Sequence, residues 1–184
     1  MDPQLQQRAA RIKLLLMDVD GVLTDGHLYH VPVVENGSTR MAEFKGFDSQ
    51  DGIGLQWCAK YGIVTGVISG RVSDATTERA RQNKMKYVYQ GHTEKIPILE
   101  EILADARVER HEVAYLGDDL TDIVVMRRVG LAIAVANARP ELKPFAHYQT
   151  RAAGGSGAVR EAVELILQAK GLWSEVLQHY EASQ

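Results

Sequence analysis

Residues 12–26 read IKLLLMDVDGVLTDG, and the architecture can be worked out from this stretch. A continuous apolar run that ends in two carboxylates one residue apart indicates a buried parallel strand. Such a strand brings Asp18 and Asp20 to the carboxyl edge of a sheet, where open α/β folds bind ligands. Like charges this close predict a shared cation, a protonated acid or both. An ordinary Asp-Gly turn at Asp20-Gly21 explains the same residues equally well at this point.

The composition is typical of one globular α/β domain. The chain has 184 residues, 45% of them hydrophobic, and a net charge of -3, so we expect a single domain over residues 1–184. The lack of a basic excess argues against nucleic-acid binding. The apolar runs are too short to cross a bilayer and residues 1–11 lack the apolar core of a signal peptide. We therefore expect no membrane partner and a cytoplasmic location.

Apolar runs alternate with amphipathic segments, which predicts a three-layer, doubly wound, mostly parallel sheet with right-handed crossovers. The predicted strands cover about 12–18, 63–68, 87–89, 113–116 and 131–136. The predicted helices cover about 49–61, 73–83, 93–103, 119–129, 139–145 and 159–167. Asn36-Gly37 lies between two extended runs and predicts a β-hairpin insertion at about 27–44. An amphipathic tail follows at about 172–184.

Polar side chains follow several of the predicted strands. Asp18 and Asp20 come directly after the first strand, and Ser69 comes after the second. Asp118 follows the strand at 113–116, and Lys95 lies one loop beyond the strand at 87–89. Because the carboxyl ends of parallel strands meet at one edge of a sheet, we expect these side chains to converge.

Each of these residues also has an ordinary structural explanation. Ser69 fits a turn before Gly70, and Lys95 fits a solvated helix lysine. Asp119 and Asp122 fit an N-cap and a first-turn acid favoured by a helix dipole. The succession of acid, hydroxyl, ammonium and acid along the chain favours a shared site over unrelated turns and caps.

This set of side chains suits phosphoryl transfer through an aspartyl-phosphate. A carboxylate can attack phosphorus and leave again, which divides one difficult displacement into two easier ones. The anionic phosphate needs neutralisation, which carboxylate-bound magnesium, an ammonium group and hydroxyl or backbone donors supply. A second acid must protonate the leaving oxygen and then deprotonate water, and Asp20 is placed to do so.

The chain resembles the haloacid dehalogenase superfamily of phosphatases. The resemblance is carried by four stretches in order, namely residues 18–24 (DVDGVLT), 69–71 (SGR), Lys95 and 117–122 (GDDLTD). It implies that Asp18 is the nucleophile and a Mg²⁺ ligand, and that Asp20 is the acid and base and binds Mg²⁺ through its carbonyl. It further implies that Asp118 is a Mg²⁺ ligand, that Asp119 and Asp122 are supporting acids, and that Ser69 and Lys95 bind the phosphoryl group, with Lys95 taking part in catalysis. Gly70, Arg71 and Thr24, which lie in the same stretches, are predicted as further substrate or phosphate contacts.

The substrate expectation comes from a narrower resemblance. Only a hairpin separates the first two motifs, so no cap domain fits. Together with residues 47–54 and 154–161, this pattern is similar to the 3-deoxy-D-manno-octulosonate 8-phosphate (KDO 8-phosphate) phosphatases. That family implies a homotetramer in which a neighbour helps to cover each site, and a place in lipopolysaccharide precursor synthesis. Ser156, where relatives often have Arg, and a longer segment at 37–51 depart from the pattern.

Three alternatives remain open from the sequence. A phosphatase for nine-carbon sugar acid phosphates would keep every catalytic motif, and a non-catalytic phosphatase-like interaction domain would have lost the nucleophile or a metal acid. A receiver domain also gathers acids, a hydroxyl and a lysine, but its lysine comes last, whereas here the acids at 118–119 follow Lys95. For Arg71, a contact with the sugar carboxylate and a solvent-facing salt bridge both fit.

Overall fold

The apolar run that precedes Asp18 forms a strand inside a six-stranded sheet. The structure, a computed structural model, describes residues 2–181. In chain order its strands are β1 (Leu14–Met17), β2 (Tyr29–Glu35), β3 (Ser38–Phe44), β4 (Val64–Ile68), β5 (Tyr87–Tyr89), β6 (Val113–Gly117), β7 (Leu131–Ala134) and β8 (Tyr148–Gln149).

The helices connect these strands. In chain order they are α1 (Pro3–Ala10), α2 (Ser49–Lys60), α3 (Asp74–Gln82), α4 (Lys95–Ala106), α5 (Ile123–Met126), α6 (Ala158–Ala169) and α7 (Trp173–Glu181), with short 3-10 turns at Arg110–Glu112, Leu120–Asp122 and Pro140–Phe145.

The large sheet has the order β5-β4-β1-β6-β7-β8, and all its pairs are parallel. All four residues of β1 are buried, and successive residues face opposite sides, so both faces of the sheet are covered. Helices α1 and α2 both pack on α6, and α4 packs on α5. The predicted doubly wound α/β fold is therefore confirmed. Because β1 lies between β4 and β6, the residues that follow these three strands meet at one edge.

The predicted hairpin is present and forms its own sheet. β2 pairs antiparallel with β3, from Tyr29 opposite Phe44 to Glu35 opposite Ser38. Asn36 and Gly37 both have positive φ, 51° and 76°, as the expected two-residue turn requires. The hairpin leaves the domain between β1 and α2, so its base lies beside the loop that carries Asp18 and Asp20.

The two glycine-containing stretches at 47–54 and 154–161 contact each other. The buried carboxylate of Asp51 accepts a hydrogen bond of 2.7 Å from the backbone N–H of Arg160, near the start of α6. Gly154 lies against the loop after β1, where a Cβ would be 1.8 Å from the carbonyl oxygen of Gly21. These stretches therefore support the loop that carries the acids, while Ser156 is exposed beside them.

Several predicted elements differ in length. The helix expected at 119–129 is a 3-10 turn followed by α5, which ends at Met126, because the chain must reverse before Gly130 packs against the carbonyl of His111. The helix expected at 139–145 is a 3-10 turn, because in an α-helix the ring of Pro144 would clash with the carbonyl of Pro140. β8, a two-residue strand at the edge of the sheet, was not expected from the sequence.

The C-terminal helix packs on the domain itself. Trp57 of α2 donates a hydrogen bond of 3.0 Å to the hydroxyl of Tyr180, and its ring meets Trp173 edge-on at 5.6 Å. Residues 182–184 of the expected tail lie outside the described residues. Among residues 2–181, no helix has the length and apolar character needed to cross a bilayer.

Candidate active site

The loop after β1 presents two acids at the edge of the sheet. The backbone N–H of Val19 donates a hydrogen bond of 2.7 Å to Asp18 Oδ1, which fixes the orientation of that carboxylate. Gly21 has φ +91°, and a Cβ there would lie 2.1 Å from Asp118 Oδ2. Only glycine both adopts this backbone conformation and lets the Asp118 carboxylate approach the loop.

Three carboxylates meet at this edge. Oxygens of Asp18, Asp118 and Asp122 lie within 4.8 Å of one another. Burial first, and then the charge of Asp122, raise the pKa of Asp18 to about 6, against the lowering effect of Lys95. Burial and the charges of Asp122 and Asp18 raise the pKa of Asp118 to about 7. At neutral pH, repulsion between the carboxylates therefore opposes the ionisation of Asp18 and Asp118.

Asp122 lies beneath the cluster, and protein donors bind both of its oxygens. Oδ1 accepts hydrogen bonds of 2.7 Å from Lys95 and 2.7 Å from the hydroxyl of Tyr115. Oδ2 accepts from the backbone N–H groups of Asp118 at 2.9 Å and Asp119 at 3.2 Å. Asp122 is completely buried, and its hydrogen bonds tie together Lys95 and the backbone of the loop after β6.

The ammonium group of Lys95 lies between the carboxylates of Asp18 and Asp122. Its Nζ lies 3.0 Å from Asp18 Oδ2 and 2.7 Å from Asp122 Oδ1, and the side chain is 3% exposed. Burial opposes the charge on Lys95, but Asp122 and Asp18 hold its pKa above the ordinary value. The lysine is therefore a buried cation at neutral pH and faces the cavity beside Asp18.

The remaining acid pair fits a divalent cation. Asp118 Oδ1 is buried and has no hydrogen-bond partner among the described residues. A buried carboxylate oxygen left without a donor costs free energy that a bound cation would recover. Carboxylate oxygens are the ligands that Mg²⁺ prefers, so Asp18 and Asp118 fit such an ion, whereas Asp122 is already occupied.

A cavity of about 230 Å³ opens between these side chains. It is lined by Asp18, Asp20, Ser69, Gly70, Arg71, Thr93, Lys95, Asp118, Asp119 and Thr121. Eight of the ten predicted site residues therefore share one cavity, and Asp122 supports it from below. A larger surface cleft, of about 560 Å³, lies near Trp57 and has no carboxylate in its lining.

Thr24 is the predicted contact that the structure does not bring into the cavity. Its hydroxyl donates to the carbonyl of Val19 at 3.4 Å and accepts from the N–H groups of Gly21 at 3.4 Å and Gly26 at 3.2 Å. These bonds occupy the hydroxyl within its own loop. The placement of Thr24 thus gives no support to a phosphate contact, because Thr24 shapes the loop instead.

Two charged residues at the end of the hairpin lie beside the cavity and were not expected there from the sequence. Lys45 forms an ion pair with Asp20, and its side chain is only 1% exposed. Glu43 pairs with Arg71 and lies 3.4 Å from Lys45. Positions 43 and 45 are two residues apart at a strand end, so they face the same side, which is the only sequence signal for this pair.

The structure shows the salt bridge that was one of the two explanations left open for Arg71, and it leaves the contact with a sugar carboxylate a prediction. Its Nη2 pairs with Glu43, and its Nε lies 3.6 Å from Asp20 Oδ2, so it does form a salt bridge. The side chain nevertheless lines the cavity and is 45% exposed. An anionic ligand entering the cavity can therefore reach the guanidinium.

Comparison with known proteins identifies the family. The family model for haloacid dehalogenase-like hydrolases matches residues 67–162. The chain is 43% identical over 164 residues to the 3-deoxy-D-manno-octulosonate 8-phosphate phosphatase of Yersinia pestis, covering 89% of this chain and 84% of that protein. The crystal structure of the Yersinia pestis phosphatase superposes with a TM-score of 0.85 at 42% identity, covering 92% of this chain and 88% of that one.

A second solved structure extends this similarity. The phosphatase of the same name from Moraxella catarrhalis, solved with magnesium ion, phosphate ion and KDO, superposes with a TM-score of 0.89. It is 34% identical and covers 98% of this chain and 99% of that one. The chain belongs to the haloacid dehalogenase-like hydrolases and, within them, to the family of these octulosonate phosphatases.

Proposed function

We propose that this haloacid dehalogenase-like hydrolase is a Mg²⁺-dependent phosphatase that converts KDO 8-phosphate to KDO and inorganic phosphate. The observation that carries the proposal is the buried contact of Lys95 with Asp18 at 3.0 Å, inside a cavity that Asp118 also lines. A nucleophilic carboxylate, a fixed cation and a further acid around one small cavity are what phosphoryl transfer requires.

In the first step, Asp18 is the nucleophile. A carboxylate oxygen of Asp18 attacks phosphorus, the bond from phosphorus to the sugar oxygen breaks, and an aspartyl-phosphate forms. In the metal-free protein burial and the charge of Asp122 raise the pKa of Asp18 to about 6, so its carboxylate is largely ionised at neutral pH and can act as a nucleophile. Asp20 gives its proton to the leaving sugar oxygen.

In the second step, Asp20 acts as a base. It takes a proton from water, the water oxygen attacks phosphorus, and the bond from phosphorus to Asp18 breaks to release phosphate. Asp20 ends the cycle protonated, ready for the next leaving group. Throughout both steps Lys95 and the residues at 69–70 stabilise charge on the phosphoryl oxygens.

The residues that would hold Mg²⁺ are Asp18 and Asp118, together with the backbone carbonyl of Asp20. The unpartnered, buried Oδ1 of Asp118 supports this assignment. When bound, the ion neutralises charge on the carboxylates and on the phosphate. Asp119, in the cavity, and Asp122, beneath it, act as supporting acids.

The substrate proposal rests on the relatives and on Arg71. Both relatives compared above carry the name of the octulosonate 8-phosphate phosphatase. The guanidinium of Arg71 is a planar, bidentate donor at the cavity and suits the carboxylate of a sugar acid. Activity on this substrate would place the enzyme in lipopolysaccharide precursor synthesis, in the cytoplasm.

Assembly into a homotetramer is part of the same proposal. The hairpin exposes apolar side chains that a monomer would leave in water: Leu28, Val31, Val34, Met41 and Phe44, of which Val34 is 73% exposed and Met41 60%. Without a cap domain, the cavity needs another means of excluding water. Hairpins from neighbouring copies would supply that cover, with each chain contributing one catalytic domain over residues 1–184.

A substrate panel tests the proposal. Phosphate release would be measured with Mg²⁺ and with a chelator, using KDO 8-phosphate, a nine-carbon sugar acid phosphate, simple sugar phosphates and para-nitrophenyl phosphate. We expect the highest kcat/KM for KDO 8-phosphate and no release in chelator. Preference for the nine-carbon compound would reassign the substrate, and a flat profile would indicate a general phosphatase. No release from any compound would indicate a non-catalytic domain.

A further inference from the structure

Four charged side chains form a closed ring at the base of the hairpin. Lys45 Nζ contacts Asp20 Oδ1 and lies 3.4 Å from Glu43 Oε1. Arg71 Nη2 contacts Glu43 Oε2, and Arg71 Nε lies 3.6 Å from Asp20 Oδ2. Each oxygen of Asp20 therefore faces its own cation, and Glu43 holds those two cations from the other side.

Lys45 occupies an unusual place in this ring. Its side chain is 1% exposed, whereas that of Arg71 is 45% exposed. Lysine is almost never fully buried unless it is paired, because removing its charge from water is costly. Lys45 is also absent from the lining of the cavity, whereas Asp20, which it contacts, is part of that lining. The burial of Lys45 is thus offset by contacts with Asp20 and Glu43 and not by a ligand.

We propose that Lys45 is a positioning residue that holds the side chain of Asp20 at the angle needed for proton exchange with the leaving group and with water. The inference rests on the proposed function, because it takes Asp20 as the group that exchanges the proton. Lys45 follows directly on β3, so the hairpin sets the position of the acid and base.

The geometry explains why Asp20 needs such a partner. The Asp20 side chain is 18% exposed and stands at the cavity wall, where a carboxylate can rotate toward the more exposed guanidinium of Arg71. Lys45 contacts the oxygen opposite the one that faces Arg71, which opposes this rotation. Misplacing a catalytic group by about 1 Å can cost about 100-fold in rate.

The test separates the two chemical steps. A para-nitrophenolate leaving group needs little protonation, so formation of the aspartyl-phosphate depends weakly on Asp20, whereas hydrolysis of the intermediate still needs it as a base. Rapid mixing of the Mg²⁺-loaded enzyme with para-nitrophenyl phosphate gives the burst rate constant and the steady-state rate. Steady-state kcat and KM for KDO 8-phosphate complete the data set.

For Lys45→Met, which keeps the length of the side chain, we expect a burst rate constant within about threefold of wild type and a steady-state rate lower by about 10- to 100-fold. The KM for KDO 8-phosphate should change by less than about threefold, because Lys45 does not line the cavity. Lys45→Arg should recover part of the loss. Lys60→Met, an exposed lysine in the last turn of α2, is the matched control and should behave as wild type.

Two outcomes would overturn the inference: a steady-state rate equal to wild type, or a burst lost in parallel with the steady state. Either result would leave the proposed function intact, whereas a wild-type enzyme without phosphate release would refute that function first. If Lys45→Met does not fold, Lys45→Gln carries the same test, because its amide still donates to Asp20. We expect from it a retained burst and an intermediate steady-state rate.

Discussion

The charge cluster at the proposed metal site makes Asp118→Asn an informative variant. The substitution removes one of three carboxylates that lie within 4.8 Å of one another and keeps the shape of the side chain. Asp118 Oδ1 has no hydrogen-bond partner among the described residues, so no bond at that oxygen is lost. In metal-free protein we therefore expect the variant to be more stable than wild type, which is unusual for a change at a buried residue.

The magnitude follows from the raised pKa of Asp118. A rise in the pKa of Asp118 from 3.8 to about 7 lowers the free energy of unfolding by at most about 4 kcal/mol at a pH above both pKa values. Asp118 is partly exposed and shares the repulsion with Asp18, so we reduce this by half, to about 2 kcal/mol. For a protein of this size, that gain raises the Tm by about 4–8 °C.

The sign of the pH dependence is the reverse of that for a salt-bridged aspartate. The native state retains the Asp118 proton up to a higher pH than the unfolded chain does, so this residue lowers the free energy of unfolding as pH rises from about 4 to about 7. The advantage of Asp118→Asn should therefore be full at about pH 8 and mostly lost at about pH 4.5.

Thermal and urea unfolding in chelator at these two pH values measure the effect, with Glu175→Gln as an exposed control of the same chemical type. Excess Mg²⁺ should reverse the order of stability, because an ion at 100 times its Kd adds about 2.7 kcal/mol to wild type and less to the variant. A variant that is less stable than wild type in chelator at about pH 8, or an advantage independent of pH, would refute the reasoning.

The remaining predictions concern the chemistry and the assembly. Asp18→Asn should abolish phosphate release because an amide is a poor nucleophile; turnover within about tenfold of wild type would contradict its role. Asp20→Asn should lower kcat by about 100- to 10,000-fold while calorimetry still detects phosphate binding, and unchanged turnover would remove Asp20 from the mechanism. Light scattering at micromolar concentration should give the mass of a homotetramer, which Val34→Lys in the exposed hairpin should reduce. A monomeric wild type would count against the proposed assembly.

The sequence by itself determined the kind of fold and most of the cavity lining. An apolar run that ends in acids or in Ser-Gly is enough by itself to predict a buried strand followed by residues at the carboxyl edge of the sheet. The reason is that a buried strand needs consecutive apolar residues and that the chain turns at its carboxyl end. From that, the convergence of Asp18, Ser69 and Asp118 follows without knowledge of any contact.

Only the tertiary structure decided which partners hold these groups. The contact of Lys45 with Asp20 depends on the orientation of the hairpin relative to the large sheet. The contact of Tyr115 with Asp122 depends on the side of β6 on which Tyr115 lies. Many pairs of opposite charge or of donor and acceptor are compatible with one sequence, so periodicity cannot select among them. The same holds for Thr24, whose hydroxyl forms hydrogen bonds within its own loop and not in the cavity. The local sequence shows the types and order of the residues. Which side chains contact each other is decided by packing between segments that are distant in the chain.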